Sequence, residues 1–83
     1  MQTKIRIRLN ISTVKWFVTI VNSYKSDIDL ICGHIVLDAK SIMAIYILDF
    51  SRPLFVEIHS DDKDEIAKFN IEMEGFRYED TDA

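Results

Sequence analysis

The chain has 83 residues, 48% hydrophobic and 29% charged, with a formal net charge of −4, a balance that fits one small domain and excludes a disordered polyelectrolyte. Its one cysteine, Cys32, has no internal disulfide partner, and its longest apolar runs, Trp16–Val21 and Ile42–Leu48, are far shorter than the roughly 20 residues of a membrane helix. The acidic balance disfavours a general nucleic-acid or anionic-membrane binder, so a protein or small-molecule partner in a reducing cytoplasm is expected.

Residues 4–9 alternate Lys4, Arg6 and Arg8 with Ile5, Ile7 and Leu9, which predicts a strand with its aliphatic side inward and its cations in water. This alternation also differs from the basic stretch and apolar block of an export signal. Asn10, Ser12 and Thr13 are helix-capping types. Beyond them Val14, Phe17, Val18, Val21 and Tyr24 recur at helical spacing, predicting an amphipathic helix stabilised by packing rather than by its β-branched residues. From Asp27 the period returns to two. Ile28, Leu30 and Cys32 share one side, Gly33-His34 makes a turn, and Ile35, Val36 and Leu37 form the return strand of a hairpin.

Ser41 precedes Ile42–Leu48, which reads as a short helix with Ser41 at its N-cap. Ser51-Arg52-Pro53 breaks the chain, and Leu54, Val56 and Ile58 alternate with Phe55, Glu57 and His59 in a fourth strand. Ser60 and the carboxylates of Asp61, Asp62, Asp64 and Glu65 suit a helix start, with Ile66, Phe69, Met73 and Phe76 as the buried stripe of a last helix. Residues 1–76 thus form the domain, and residues 77–83 an acidic tail expected to fray. The order β-α-β-β-α-β-α predicts an α+β open-faced sandwich, a four-stranded antiparallel sheet with three helices on one face.

That order resembles HPr, the small phosphocarrier of the bacterial sugar phosphotransferase system. The resemblance runs over residues 4–76 and rests on Ala39-Lys40-Ser41-Ile42-Met43-Ala44 at the middle helix, with Tyr24, Asp27, Ile28 and Leu30 upstream. In the family a histidine, then an arginine two residues on and a proline, opens the first helix, and the histidine accepts phosphate from enzyme I. Counted without gaps from Ser41, these positions fall on Asn10, Ser12 and Thr13, and the only histidines, His34 and His59, lie at a turn and a strand end. An amide has negligible basicity for phosphoramidate chemistry, so no catalytic residue and no histidine phosphotransfer are expected. The helix start could still offer an anion site at Ser12 and Thr13, or these residues only cap.

The resemblance further implies that Ser41 is a target of an HPr-type serine kinase, the alternative being a helix cap and nothing more. It also implies that Ile42, Met43 and Tyr46 dock a protein partner, unless they pack in the core, with Trp16 enlarging the patch if it lies exposed beside Met43. Other chemistry is thin. The acidic run 61–65 lacks the spacing and glycine of a calcium loop, and His34 and His59 have no ligand partners at metal spacing. Cys32 reads as inert packing. With only Gly33 and Gly75 in the chain there is no phosphate loop or nucleophile elbow, so neither a cofactor nor an independent enzyme is expected. Two readings follow: a regulatory or adaptor protein related to the sugar phosphotransferase system, or a non-catalytic interaction module unconnected with sugar transport.

Overall fold

A computed structural model describes residues 1–78. The two-residue periodicities become strands β1 (Lys4–Ile7), β2 (Asp27–Cys32), β3 (Ile35–Asp38) and β4 (Leu54–His59). The helical ones become α1 (Ile11–Val21), α2 (Ile42–Ile45) and α3 (Lys63–Met73), the last running into a 3-10 turn at Glu74–Phe76. All strand pairs are antiparallel, in the spatial order β1-β4-β2-β3. The fold is therefore α+β with an open four-stranded antiparallel sheet and three helices in the expected order.

The register sorts the side chains into rows across the sheet. Ile5, Val56 and Leu30 lie side by side and are buried under the helices, with Leu37 half-buried at the edge. On the other face one row runs Lys4, Glu57, Asp29, Asp38 and the next Arg6, Phe55, Ile31, Val36. Neighbouring carboxylates on one face repel, and the His59 ring offsets part of this by hydrogen bonding Asp29 at 2.8 Å. Gly33 has φ +60°, so the two-residue link from β2 to β3 needs glycine at its first position.

The core is set by Phe17 of α1 and Phe69 of α3, both fully buried. Phe76 meets Phe17 edge to face at 5.3 Å, and the Tyr24 ring meets Phe69 in the same way at 6.2 Å. Val14 and Val21 complete the buried stripe of α1, while Val18 is only half-buried at its margin.

Four expectations need correction. The middle helix ends at Ile45 and not Leu48, because the amides of Ile47 and Leu48 bond to carbonyls three residues back, Ala44 and Ile45. The segment is rich in β-branched residues, which hold a helix poorly, and Asp49 then takes the Ser51 amide and hydroxyl and turns the chain towards β4. The cap of α3 is Asp62, whose carboxylate accepts from the amides of Asp64 and Glu65, since Ser60 instead donates to Glu65 at 2.6 Å. β1 stops at Ile7, although Leu9 is buried as expected. Ordered pairing also continues past residue 76, as Arg77 bridges to Ile7 and the Tyr78 amide donates to the Arg6 carbonyl at 3.0 Å. The remaining residues of the expected tail, 79–83, lie outside the described residues.

Candidate functional site

At the start of α1, Asn10 is extended, with φ −141° and ψ 175°, and its Oδ1 accepts from the amides of Ser12 and Thr13 at 2.9 and 3.1 Å. The Ser12 hydroxyl donates to the same oxygen at 2.6 Å, and Thr13 Oγ1 accepts the Asn10 amide at 3.0 Å, closing a reciprocal capping box. The donors that the helix start was expected to offer to an anion at Ser12 and Thr13 are thus taken up by Asn10. An anion there would have to displace the cap, so this corner works as a helix start. No histidine stands here: His34 is exposed in the β2–β3 turn and His59 ends β4.

Ser41 occupies the N-cap position of α2 with φ −99° and ψ 101°, but its side chain makes no cap hydrogen bond. Its amide donates to the Asp38 carbonyl at 3.1 Å, and Asp38 Oδ1 accepts the Lys40 amide at 2.9 Å. Lys40 is itself pulled away, its Nζ donating to the Tyr24 carbonyl at 2.8 Å. A helix of four residues also sums little dipole, so the pull on a phosphate at Ser41 is weaker than a full helix would give.

Beyond Ser41 the apolar residues divide. Ile45 is fully buried and Ile42 packs half-buried on the core, whereas Met43 is 75% exposed, Tyr46 44% and Ile47 81%. Ile47 was not foreseen as a patch residue, although it stands four residues after Met43 and so on the same side of a helical turn. Trp16 is more than half exposed and lies elsewhere. Its ring packs on Phe76 at 4.5 Å, and a Cβ on Gly75 would touch it at 3.4 Å. Asn22, on the α2 flank of α1, bonds the Lys40 carbonyl, and Trp16 is about 120° around the helix from Asn22. Trp16 therefore covers the far flank of α1, and the patch is Met43, Tyr46 and Ile47 with the edge of Ile42.

A third cluster has no signal in the residue pattern. Arg6, Arg8 and Arg52 line one cavity of about 280 Å³ together with Phe50, Ser51 and Tyr78. Antiparallel pairing of Ile7 with Leu54 brings the end of β1 against the turn before β4, and the Tyr78 bond to Arg6 closes the third side. The Arg6 guanidinium lies 3.8 Å from the centre of the Tyr78 ring and that of Arg8 5.1 Å from it. Asp49, near this turn, has its carboxyl held below its ordinary value chiefly by the Ser51 hydroxyl and amide, with help from the Arg52 charge.

At the start of α3, Glu65 is similarly committed to structure. Glu65 accepts from the hydroxyls of Ser26 and Ser60 and from the amides of Lys25 and Ser26, and its pKa falls to about 2, chiefly through the two hydroxyls. Tyr24 donates to Glu72 at 2.5 Å, and its phenol is pushed above its ordinary value by burial first and by that bond second. Cys32 is buried. Among the described residues no three His, Cys, Asp or Glu side chains are grouped to hold a metal ion, and no helix is long and apolar enough to cross a membrane. No protein-family model matches the chain, nor does any curated protein or solved structure.

Proposed function

We propose that this chain is an HPr-like regulatory or adaptor protein of the bacterial cytoplasm that has lost histidine phosphotransfer and docks a protein partner through Met43, Tyr46 and Ile47. The observation that carries the reading is this trio of exposed apolar side chains, 75%, 44% and 81% accessible, beginning two residues after an uncapped serine hydroxyl. Apolar, adaptable side chains grouped on a surface favour protein contact. The Asn10 cap supports the loss of phosphotransfer, because the residue at the histidine position is spent on fixing the start of α1. In this reading Ser41, once phosphorylated, adds about −1.5 to −2 charges beside the patch and repels an acidic partner or recruits an arginine-bearing one.

The second reading, a docking module unconnected with sugar transport, is favoured by one observation, the brevity of α2, which leaves Ser41 with little helix dipole. Treatment with an HPr-type serine kinase and ATP separates the two. The regulatory reading expects one phosphate on the wild type and none on Ser41→Ala, whereas an unlabelled wild type leaves the plain docking module. Incubation with enzyme I and phosphoenolpyruvate should leave the intact mass unchanged. An acid-labile gain of one phosphate there would contradict both readings.

A further inference from the structure

The arginine-lined cavity is independent of the α2 patch. Three of the four arginines of a chain with net charge −4 line it. Among the described residues the ion pairs are His59–Asp29 and Arg77–Glu74, and neither involves Arg6, Arg8 or Arg52. Like charges on one cavity repel, and a bound anion removes that repulsion. Asp49 is the nearby acid; its Oδ1 accepts the amide and hydroxyl of Ser51, and its charge interacts with that of Arg52 without an ion-pair contact.

The geometry also prepares the guanidinium groups for an anion. Cation–π contact with Tyr78, at 3.8 Å for Arg6 and 5.1 Å for Arg8, restrains two long side chains that would otherwise lose entropy on binding. Arg52 also lines this cavity. Its terminal nitrogen lies close to the β2–β3 turn, where a Cβ on Gly33 would stand 3.4 Å away. Guanidinium forks match the oxygens of phosphate in pairs, which ammonium groups do not. At about 280 Å³ the cavity is at the small end of ligand sites, which run from about 300 Å³ upwards, so it suits a compact anion and not a peptide.

We propose that Arg6 and Arg8, held against Tyr78, form together with Arg52 on the same cavity a binding site for a small phosphate-bearing anion. The test is a titration of the full 83-residue chain with pyrophosphate at low ionic strength, followed by calorimetry and by 1H–15N spectra. The full chain keeps the carboxylates of Glu79, Asp80 and Asp82, next in sequence after Tyr78, present throughout. Binding should saturate at one site, with shifts confined to the surroundings of residues 6, 8, 52 and 78. Arg6→Gln and Arg52→Gln should each weaken it about tenfold or more, since each removes a charge-assisted pair of hydrogen bonds. Lys15→Gln, a surface cation on α1, should leave it unchanged. All three side chains are exposed, so the fold is expected to survive and unchanged circular dichroism verifies it. Binding that fails to saturate, or that is equally weakened by Lys15→Gln and by Arg52→Gln, would overturn the proposal.

Discussion

Truncating Phe17 to alanine removes the side chain on which the attachment of α1 to the sheet depends most. Phe17 is fully buried and meets Phe76 edge to face at 5.3 Å, so the change empties the centre of the core and also leaves Phe76 with Trp16 as its aromatic partner. Burial loss plus the cavity left behind places the cost at about 3–5 kcal/mol. A chain of this length has roughly 4–12 kcal/mol in all, so the variant should lose a large share of its stability. At about 4–8 °C per kcal/mol, the melting temperature should fall by about 12–40 °C. Urea unfolding followed by far-UV circular dichroism measures the change, with the slope against denaturant unaltered if the transition stays two-state. Phe17→Leu keeps most of the apolar volume, costs about 1.5 kcal/mol or less and remains measurable if the alanine variant does not fold. A loss below about 1 kcal/mol for Phe17→Ala would refute the packing of α1 described above.

Three further outcomes follow from the caps and the buried hydrogen bonds. Asn10→Ala should cost about 1 kcal/mol in the same urea assay, because it removes the oxygen that accepts two first-turn amides, whereas Asn10→Asp should retain most of the stability. Glu65 has a folded pKa of about 2, below its ordinary 4.5, so its contribution is complete above pH 4.5 and is lost as pH falls towards 2. Glu65→Gln should therefore flatten the acid side of a stability–pH curve. Tyr24 has the opposite sign. Its pKa is raised above 10, so its contribution is complete below pH 10 and is lost as pH rises beyond it, and Tyr24→Phe should remove that alkaline slope.

Most of the fold was legible because hydrophobic period and secondary structure agree along this chain. Ile5 and Ile7, the Ile28-Leu30-Cys32 set and the Leu54-Val56-Ile58 set are all buried on the helix side of the sheet, as alternation requires. The failures lie where two local rules competed. Ile42–Leu48 has enough apolar residues for a helix, yet its β-branched content and the turn at Asp49–Ser51 let only one turn form. Ser60 and Asp62 are both capping types, and the choice was made by Glu65, which captures the Ser60 hydroxyl from five residues away. Of the site residues, Met43 and Tyr46 are exposed at α2, while Trp16 packs on Phe76, about 120° around α1 from the flank where Asn22 bonds Lys40. The arginine cluster could not be read from the sequence at all. Arg8 and Arg52 are 44 positions apart and come to line one cavity only through the β1–β4 register, which periodicity within either strand does not fix.

The claim that α2 presents a docking surface is tested most directly by comparing what the wild type and a Met43→Glu/Ile47→Glu variant retain from a bacterial lysate. Both positions are largely exposed, so the variant should melt at the wild-type temperature while its patch carries two new charges. The account predicts that one or a few proteins held by the wild type are lost from the variant and still held by an Arg52→Gln control. The same proteins retained equally by the wild type and the patch variant would contradict it.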